Sequence, residues 1–284
     1  MAVAEKGYSN TDVLVDCDWV QEHRSDANVK LVEVDVDLNA YDEGHIPGAV
    51  AWNWTSQLND PIRRDIPTRE DLQTLLRATG VENDDIVVLY GDNNNWFAAF
   101  AFWILKMYGH NDVRLMDGGR KKWVADNREL TKEDESPASS NYQAQEPDLT
   151  YRATVRDILK NLEEAQSNMV DVRSPAEFTG EVIAPPGMTE TAQRGGHVPG
   201  AKNIPWAQAV NEDGTFKDAD TLRELYGAKG VDSSKPVIAY CRIGERSSHT
   251  WFVLHYLLGF PQAKNYDGSW TEYGSMVGVP IEKP

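Results

Sequence analysis

The sequence is poor in cysteine, in basic residues and in long apolar runs. Its 284 residues contain two cysteines, and 28 basic side chains stand against 45 acidic ones, for a net charge of −17. Two cysteines exclude a disulfide-stapled miniprotein. An acidic chain is unsuited to nucleic acid or to an anionic membrane surface, because both require cations. We therefore expect neither among its partners.

Signals for membranes, metals and nucleotides are also missing. No run reaches the roughly 18 apolar residues of a membrane span, and the N-terminus MAVAEKGYSN lacks the apolar stretch of a secretory signal. No Cys/His cluster has metal-ligand spacing, and no glycine-rich nucleotide loop occurs. These observations predict a cytoplasmic protein with no cofactor and no metal.

The two halves of the chain carry the same motifs in the same order, 138 to 152 residues apart. Four matches in one order indicate two homologous domains, since chance would not preserve the order. The matched pairs are Leu31–Asp35 with Met169–Arg173, GHIPGA from Gly44 with GHVPGA from Gly196, Ile86–Tyr90 with Pro236–Tyr240, and Val113–Gly118 with Ala263–Gly268.

We place the first domain at 1–135, a polar linker at 136–151 and the second domain at 152–284. The linker sequence SPASSNYQAQEPDLTY shows neither helical nor strand periodicity. An extra segment of the second half, roughly Glu181 to Arg194, is rich in Pro, Gly and Thr and is interpreted as an inserted loop.

Short apolar runs alternate with amphipathic segments in both halves, which predicts central parallel sheets flanked by helices, an α/β fold. The predicted strands are Val32–Val34, Ile86–Tyr90, Val113–Leu115, Met169–Val172 and Val237–Tyr240, and the predicted helices are Arg69–Thr79, Trp96–Tyr108, Ala219–Tyr226 and Ser247–Leu258.

Cys241 directly follows a predicted buried strand and precedes a predicted helix. Ligands of open α/β sheets bind at the carboxyl ends of strands, where loop N–H groups and a helix N-terminus can converge. An isolated cysteine is usually a small buried hydrophobe, but Arg242 and Arg246 flank this one. We therefore predict a reactive thiolate with a lowered pKa.

Two chemistries use a cysteine in such a loop. A phosphatase or arsenate reductase places five residues between Cys and Arg, whereas Cys241 and Arg246 are separated by four, and Ser247 fills the phosphatase arginine position. Glu245 also opposes a phosphate dianion, because like charges repel. The tighter loop favours a sulfur transferase.

The chain resembles the tandem-domain rhodanese family, the thiosulfate sulfurtransferases. The resemblance rests on CRIGERSS from Cys241, the repeated His-x-Pro-Gly-Ala motifs, DVRSPAEF from Asp171 and NYDGSWTEYGS from Asn265. It implies two rhodanese-like domains, of which the first lacks a nucleophile, since Gly91 aligns with Cys241. It also implies that Cys241 becomes a persulfide, stabilised by a loop that includes Ile243, Gly244, Glu245 and Ser247.

The expected donor is thiosulfate, and the expected acceptor is cyanide or a thiol. Arg242 and Arg246 are candidates to bind the sulfonate, with Arg194 as a further candidate, because arginine makes forked contacts with oxyanions. Arg246→Ala is accordingly expected to weaken thiosulfate use while leaving the fold intact. The alternatives are a 3-mercaptopyruvate sulfurtransferase and a non-turnover sulfur carrier or regulatory module.

Three other residues have side chains that are often reactive, but we do not assign them to catalysis. His45 and His197 recur in both halves, including the half without a nucleophile, so we interpret the His-x-Pro-Gly motif as a turn. Cys17 is expected to be inert.

Overall fold

The computed structural model describes residues 2–184 and 191–284. The chain splits into two compact units, and each is built on one five-stranded, all-parallel sheet. The first unit consists of Thr11–Asp148 with the segments Met1–Glu5 and Asn211–Phe216, and the second of Leu149–Val210 and Lys217–Pro284 with the segment Lys6–Asn10. Within the described residues, no helix is both long and apolar enough to cross a bilayer.

The sheet of the first unit has the strand order β1-β5-β4-β2-β3. Its strands are β1 (Leu14–Val15), β2 (Val29–Asp35), β3 (Ala49–Asn53), β4 (Ile86–Tyr90) and β5 (Val113–Met116). The helices are α1 (Cys17–His23), α2 (Asn39–Glu43), α3 (Trp54–Gln57), α4 (Arg69–Ala78), α5 (Asp92–Met107) and α6 (Gly119–Ala125).

The second unit repeats this topology with the order β6-β10-β9-β7-β8. Its strands are β6 (Arg152–Ala153), β7 (Asn168–Asp171), β8 (Lys202–Asn203), β9 (Val237–Tyr240) and β10 (Ala263–Tyr266). The helices are α7 (Val155–Glu164), α8 (Pro175–Thr179), α9 (Ala219–Gly227), α10 (Glu245–Phe252) and α11 (Ser269–Tyr273), and a π-helical turn, Val253–Leu257, extends α10.

The predicted α/β class with two homologous domains is confirmed. β4 and β9 are the central strands of their sheets, and their apolar runs are buried because helices cover parallel sheets on both faces. Each predicted helix contains or closely overlaps an observed one. The strands that were not predicted include three of only two residues, β1, β6 and β8, which are too short to show a period.

Most of the segment interpreted as a linker packs against the first unit. Through Asp148 it belongs to the first unit, where Tyr142 is 1% exposed. The Tyr142 carbonyl accepts a hydrogen bond from Arg77 Nε at 2.8 Å, and the Gln145 N–H donates to the Tyr108 carbonyl at 3.1 Å. The polar composition concealed this packing, which combines one buried aromatic side chain with hydrogen bonds of the main chain.

Both His-x-Pro-Gly histidines pack as parts of turns. His45 stacks on Tyr41 with ring centroids 3.7 Å apart, and its main chain exchanges two hydrogen bonds with Thr131. His197 stacks on Phe178 at 3.5 Å and makes the equivalent exchange with Glu282. These contacts agree with a structural interpretation of the motif.

Candidate active site

Cys241 lies at the carboxyl end of the central strand β9, between β7 and β10. Tyr240, the last residue of β9, is in register with Asp171 on one side and Tyr266 on the other. The Cys241 N–H donates to Ser269 Oγ at 3.0 Å, and its carbonyl accepts from the Trp270 N–H at 3.0 Å. Strand pairing and the start of α11 therefore fix the cysteine backbone.

The loop after Cys241 turns its donors towards the sulfur. The Gly244 N–H donates to Sγ at 3.1 Å, and the Ser247 hydroxyl lies 3.6 Å from Sγ. That hydroxyl is closer to Asn265 Oδ1, at 2.6 Å, and Asn265 Nδ2 donates to the Gly244 carbonyl. Ile243 is also buried in this loop. The arrangement places N–H groups around one sulfur, as expected for stabilising an anion there.

Gly244 is required by the geometry of the loop. Its φ is +102°, and a Cβ at this position would lie 2.8 Å from Asp267 Cα. Asp267 cannot easily move, because Arg152 holds its carboxylate with two hydrogen bonds of 2.8 and 2.9 Å. A side chain at Gly244 would therefore displace the N–H that faces Sγ.

The expected lowered pKa of Cys241 is not what the structure shows. Complete burial raises the pKa of this thiol, and the Glu245 carboxylate raises it further, since its Oε2 lies 3.3 Å from Sγ. Arg246 and the hydrogen bonds from Ser247 act in the opposite direction but do not outweigh burial. The local motif predicted a helix after the loop, which begins at Glu245 rather than at the predicted Ser247, but it did not reveal the depth of burial.

Arg246 is paired with carboxylates. Its Nη1 and Nη2 donate to the two oxygens of Glu177 at 3.0 Å each, and its Nε lies 3.6 Å from Glu245 Oε1. Both Arg246 and Glu177 are almost completely buried. The outer nitrogens, which could bind a sulfonate, are occupied by Glu177 in this structure.

Glu177 is held in turn by the helix that carries it. It is the third residue of α8, and its Oε2 accepts hydrogen bonds from the N–H and the hydroxyl of Ser174 at 3.0 Å. The Ser174 hydroxyl accepts from the Glu177 N–H, which completes a capping box. Burial would raise the pKa of Glu177, but the hydrogen bonds and charge of Arg246 lower it below the usual value.

The other two predicted substrate arginines differ from each other. Arg242 is 5% exposed, and its Nη2 lies 3.9 Å from Glu245 Oε1. Arg194 donates to the carbonyls of Gly274, Met276 and Val279. Its guanidinium therefore ties the C-terminal segment to the end of the predicted inserted loop, whose residues 185–190 lie outside the described part of the chain.

The first unit has a different loop at the same place. Gly91 follows β4 as Cys241 follows β9, and its carbonyl accepts from the Arg120 N–H at 3.2 Å, as the Cys241 carbonyl does from Trp270. Asn93, Asn94 and Asn95 all have positive φ. The Asn95 side chain accepts from the Gly91 N–H and donates to the Met116 carbonyl, so it bridges the loop internally.

Sequence reasoning did not identify three residues of the site. Glu177, on α8, pairs with Arg246 across 69 residues of sequence. Ser269 and Asn265 lie in the NYDGSWTEYGS motif that supported the resemblance, and they contact Cys241 and Ser247 respectively. Among the described residues, no group of three or more His, Cys, Asp or Glu could hold a metal ion.

Comparisons with known proteins agree with this architecture. The rhodanese-like domain family matches the chain twice, over residues 16–126 and 154–276. A protein of Saccharopolyspora erythraea named "Putative thiosulfate sulfurtransferase" is 56% identical over 97% of this chain and 98% of its own length. The sulfur carrier protein TtuD of Thermus thermophilus is 53% identical over 98% of this chain and 99% of its own.

A solved structure has a similar fold. The crystal structure of SseA from Escherichia coli, described with the rhodanese fold of 3-mercaptopyruvate sulfotransferases, superposes with a TM-score of 0.79 at 28% identity. The match covers 91% of this chain and 98% of SseA. With two family matches, full-length relatives above half identity and the shared fold, the chain belongs to the rhodanese-like sulfurtransferase family.

Proposed function

We propose that this chain transfers a sulfane sulfur from thiosulfate to cyanide or a thiol through a persulfide on Cys241. The observation that carries the proposal is the buried sulfur at the end of β9, with the Gly244 N–H donating to it at 3.1 Å from the start of α10. Such donors stabilise the charge of a terminal persulfide as an oxyanion hole stabilises oxygen.

The reaction divides into two displacements. In the first, the Cys241 sulfur attacks the outer sulfur of thiosulfate, an S–S bond forms, and the bond to the sulfonate sulfur breaks to release sulfite. In the second, cyanide or a thiolate attacks the outer sulfur of the persulfide, and Cys241 leaves with the electron pair of the S–S bond. Splitting the transfer in this way is ordinary covalent catalysis.

Arg242 is our candidate for the sulfonate of the donor. Its guanidinium directly follows the nucleophile in the chain and lies 3.9 Å from Glu245 Oε1, whereas both outer nitrogens of Arg246 donate to the oxygens of Glu177. We assign Arg246 to positioning Glu177 and Glu245 and to lowering the pKa of Cys241, a direction in which its charge acts. We assign Arg194 to holding the C-terminal segment.

The other sulfur donor to consider is 3-mercaptopyruvate, because SseA is a structural neighbour. Enzymes that use this donor typically have a hydroxyl residue two positions after the nucleophile, and this chain has Ile243 there. The name of the TtuD relative favours a second candidate, a sulfur carrier that is loaded but turns over slowly. A cytoplasmic location remains our prediction for either role.

The proposal is tested by comparing Cys241→Ser with Cys17→Ser. Wild type incubated with thiosulfate should gain the mass of one sulfur, and so should Cys17→Ser, because Cys17 packs among the buried apolar residues of the first unit. Cys241→Ser should gain none and transfer none to cyanide. Loading without turnover would favour the carrier, and a higher kcat/KM for 3-mercaptopyruvate would refute thiosulfate as the preferred donor.

A further inference from the structure

A carboxylate lies directly against the sulfur that the proposed reaction uses. Glu245 Oε2 accepts the hydrogen bond of the Cys241 thiol at 3.3 Å, and the two residues are 2% and 0% exposed. The N–H of Gly244 donates to the same sulfur at 3.1 Å. The carboxylate is therefore in hydrogen-bond contact with the thiol and is suited to accept its proton.

The surrounding charges balance when this thiol keeps its proton. Glu245 Oε1 lies 3.6 Å from Arg246 Nε and 3.9 Å from Arg242 Nη2, and Glu177 supplies the second carboxylate. Two guanidiniums thus face two carboxylates. The neighbouring Asp267 is neutralised separately by Arg152. A thiolate added to this buried set would be one uncompensated negative charge, which low-dielectric surroundings disfavour.

We propose that Glu245 is a catalytic residue that takes the Cys241 proton while the sulfane sulfur is loaded and returns it when the sulfur leaves. The site then keeps a constant charge through the cycle and exchanges no proton with solvent. This inference rests on the proposed persulfide chemistry and adds an acid–base step to it. A loop that only stabilised an anion would not need a carboxylate that accepts and returns a proton.

The proposed steps balance in atoms and charge. Thiol and carboxylate react with thiosulfate to give persulfide anion, carboxylic acid and sulfite, so the proton moves from Sγ to Glu245 Oε2. Cyanide then takes the outer sulfur as thiocyanate, the Cys241–sulfur bond breaks towards Cys241, and the Glu245 acid reprotonates it. No oxidant or further reactant is consumed.

Proton transfer inside the site removes a penalty that would otherwise grow in acid. A thiol that must first ionise to water loses a factor of about ten in thiolate for each pH unit below its pKa. Positioned acid–base groups typically contribute roughly a hundredfold or more. Glu245→Gln also removes a charge that raises the pKa of Cys241, but burial, the larger cause, still raises it. We therefore expect kcat/KM to fall about a hundredfold in Glu245→Gln at neutral pH and to rise about tenfold per pH unit, against a flat wild-type profile.

The direct test is infrared difference spectroscopy between resting and sulfur-loaded protein. Wild type should lose an S–H band and gain a carboxylic-acid C=O band that shifts in deuterated water. Glu245→Gln should lack the new band, Glu245→Asp should retain it, and Glu224→Gln, which changes an exposed carboxylate on α9, should match wild type. The absence of the band in loaded wild type, or its persistence in Glu245→Gln, would overturn the proposal.

The donor used for loading separates the two proposals. Thiosulfate is used first and inorganic polysulfide second. If polysulfide alone loads Cys241, thiosulfate is not the donor, and the infrared test of Glu245 proceeds unchanged. If neither loads it, both proposals fail. A Glu245→Gln variant that transfers sulfur as fast as wild type at neutral pH would indicate that the carboxylate only repels the sulfur, and it would refute the proton role.

Discussion

Replacing Arg246 by alanine should destabilise the second unit as well as slow sulfur transfer. The change leaves the Glu177 carboxylate buried without the guanidinium that now binds both of its oxygens at 3.0 Å. Removing one partner of a buried ion pair typically costs about 3–5 kcal/mol. Because Ser174 still donates twice to Oε2, we expect the lower end, about 3 kcal/mol.

That loss is large enough to be measured as a change in melting temperature. A shift of roughly 2–4 °C per kcal/mol gives a Tm lower by about 6–12 °C at neutral pH. The deficit should shrink in acid: the folded pKa of Glu177 lies below its unfolded value, so its contribution is present above that value and is lost as the pH falls. Calorimetry at pH 7 and pH 4 measures both effects.

Two control variants isolate the cause. Arg223→Ala removes an exposed ion pair of the same unit, and such pairs contribute at most about 1 kcal/mol. Adding Glu177→Gln to Arg246→Ala removes the unpaired charge, so it should recover part of the lost stability. An Arg246→Ala protein as stable as Arg223→Ala would refute the buried-pair argument and restore the initial expectation of an intact fold.

Two further predictions concern other parts of the molecule. Burial raises the pKa of Asp35 to about 8, so the folded state retains a proton that the unfolded state releases near pH 4. The free energy of unfolding should therefore fall as the pH rises from about 4 to about 8. Asp35→Asn should flatten this dependence of Tm on pH, and an unchanged slope would contradict the assignment. Gly244→Ala should suppress persulfide loading measured by intact mass, because its Cβ would displace the donating N–H. The control Gly278→Ala, at a positive φ with open space around it, should load normally. Equal loading of the two variants would show that the N–H is dispensable.

The internal repeat carried most of the fold prediction. Motifs in one order predicted two sheets, and the apolar runs Ile86–Tyr90 and Val237–Tyr240 coincide with β4 and all of β9. Parallel strands that are buried on both faces consist of nearly continuous apolar runs, which can be recognised in the sequence. The strands β6 and β8 leave none, since two residues show no period and their pairing depends on distant partners.

The chemistry of the site was less accessible because it depends on contacts between distant segments. The position of Cys241 followed from local order, but the partner of Arg246 lies 69 residues away on α8. Arg194 was a candidate to bind the sulfonate, although its guanidinium bonds to carbonyls about 80 residues further along the chain. Glu245 was interpreted from its charge as unfavourable to phosphate, and the structure shows that carboxylate facing the sulfur.

The first unit shows why its loop contains no nucleophile. A Cβ on Gly91 would lie 2.4 Å from the Val34 carbonyl oxygen and 3.0 Å from Asp35 Oδ1, so no cysteine fits without moving β2. A Cβ on Gly119 would already meet the Asn95 amide oxygen at 2.2 Å, which shows how closely that amide fills the loop. The loop after β4 also contains three asparagines with positive φ, and the Asn95 amide fills the space that a different loop would need. The difference between the two units therefore extends beyond one residue. A functional copy would require the whole loop from Gly91 to Asn95 to be rebuilt, together with its contacts to Asp35 and Gly119.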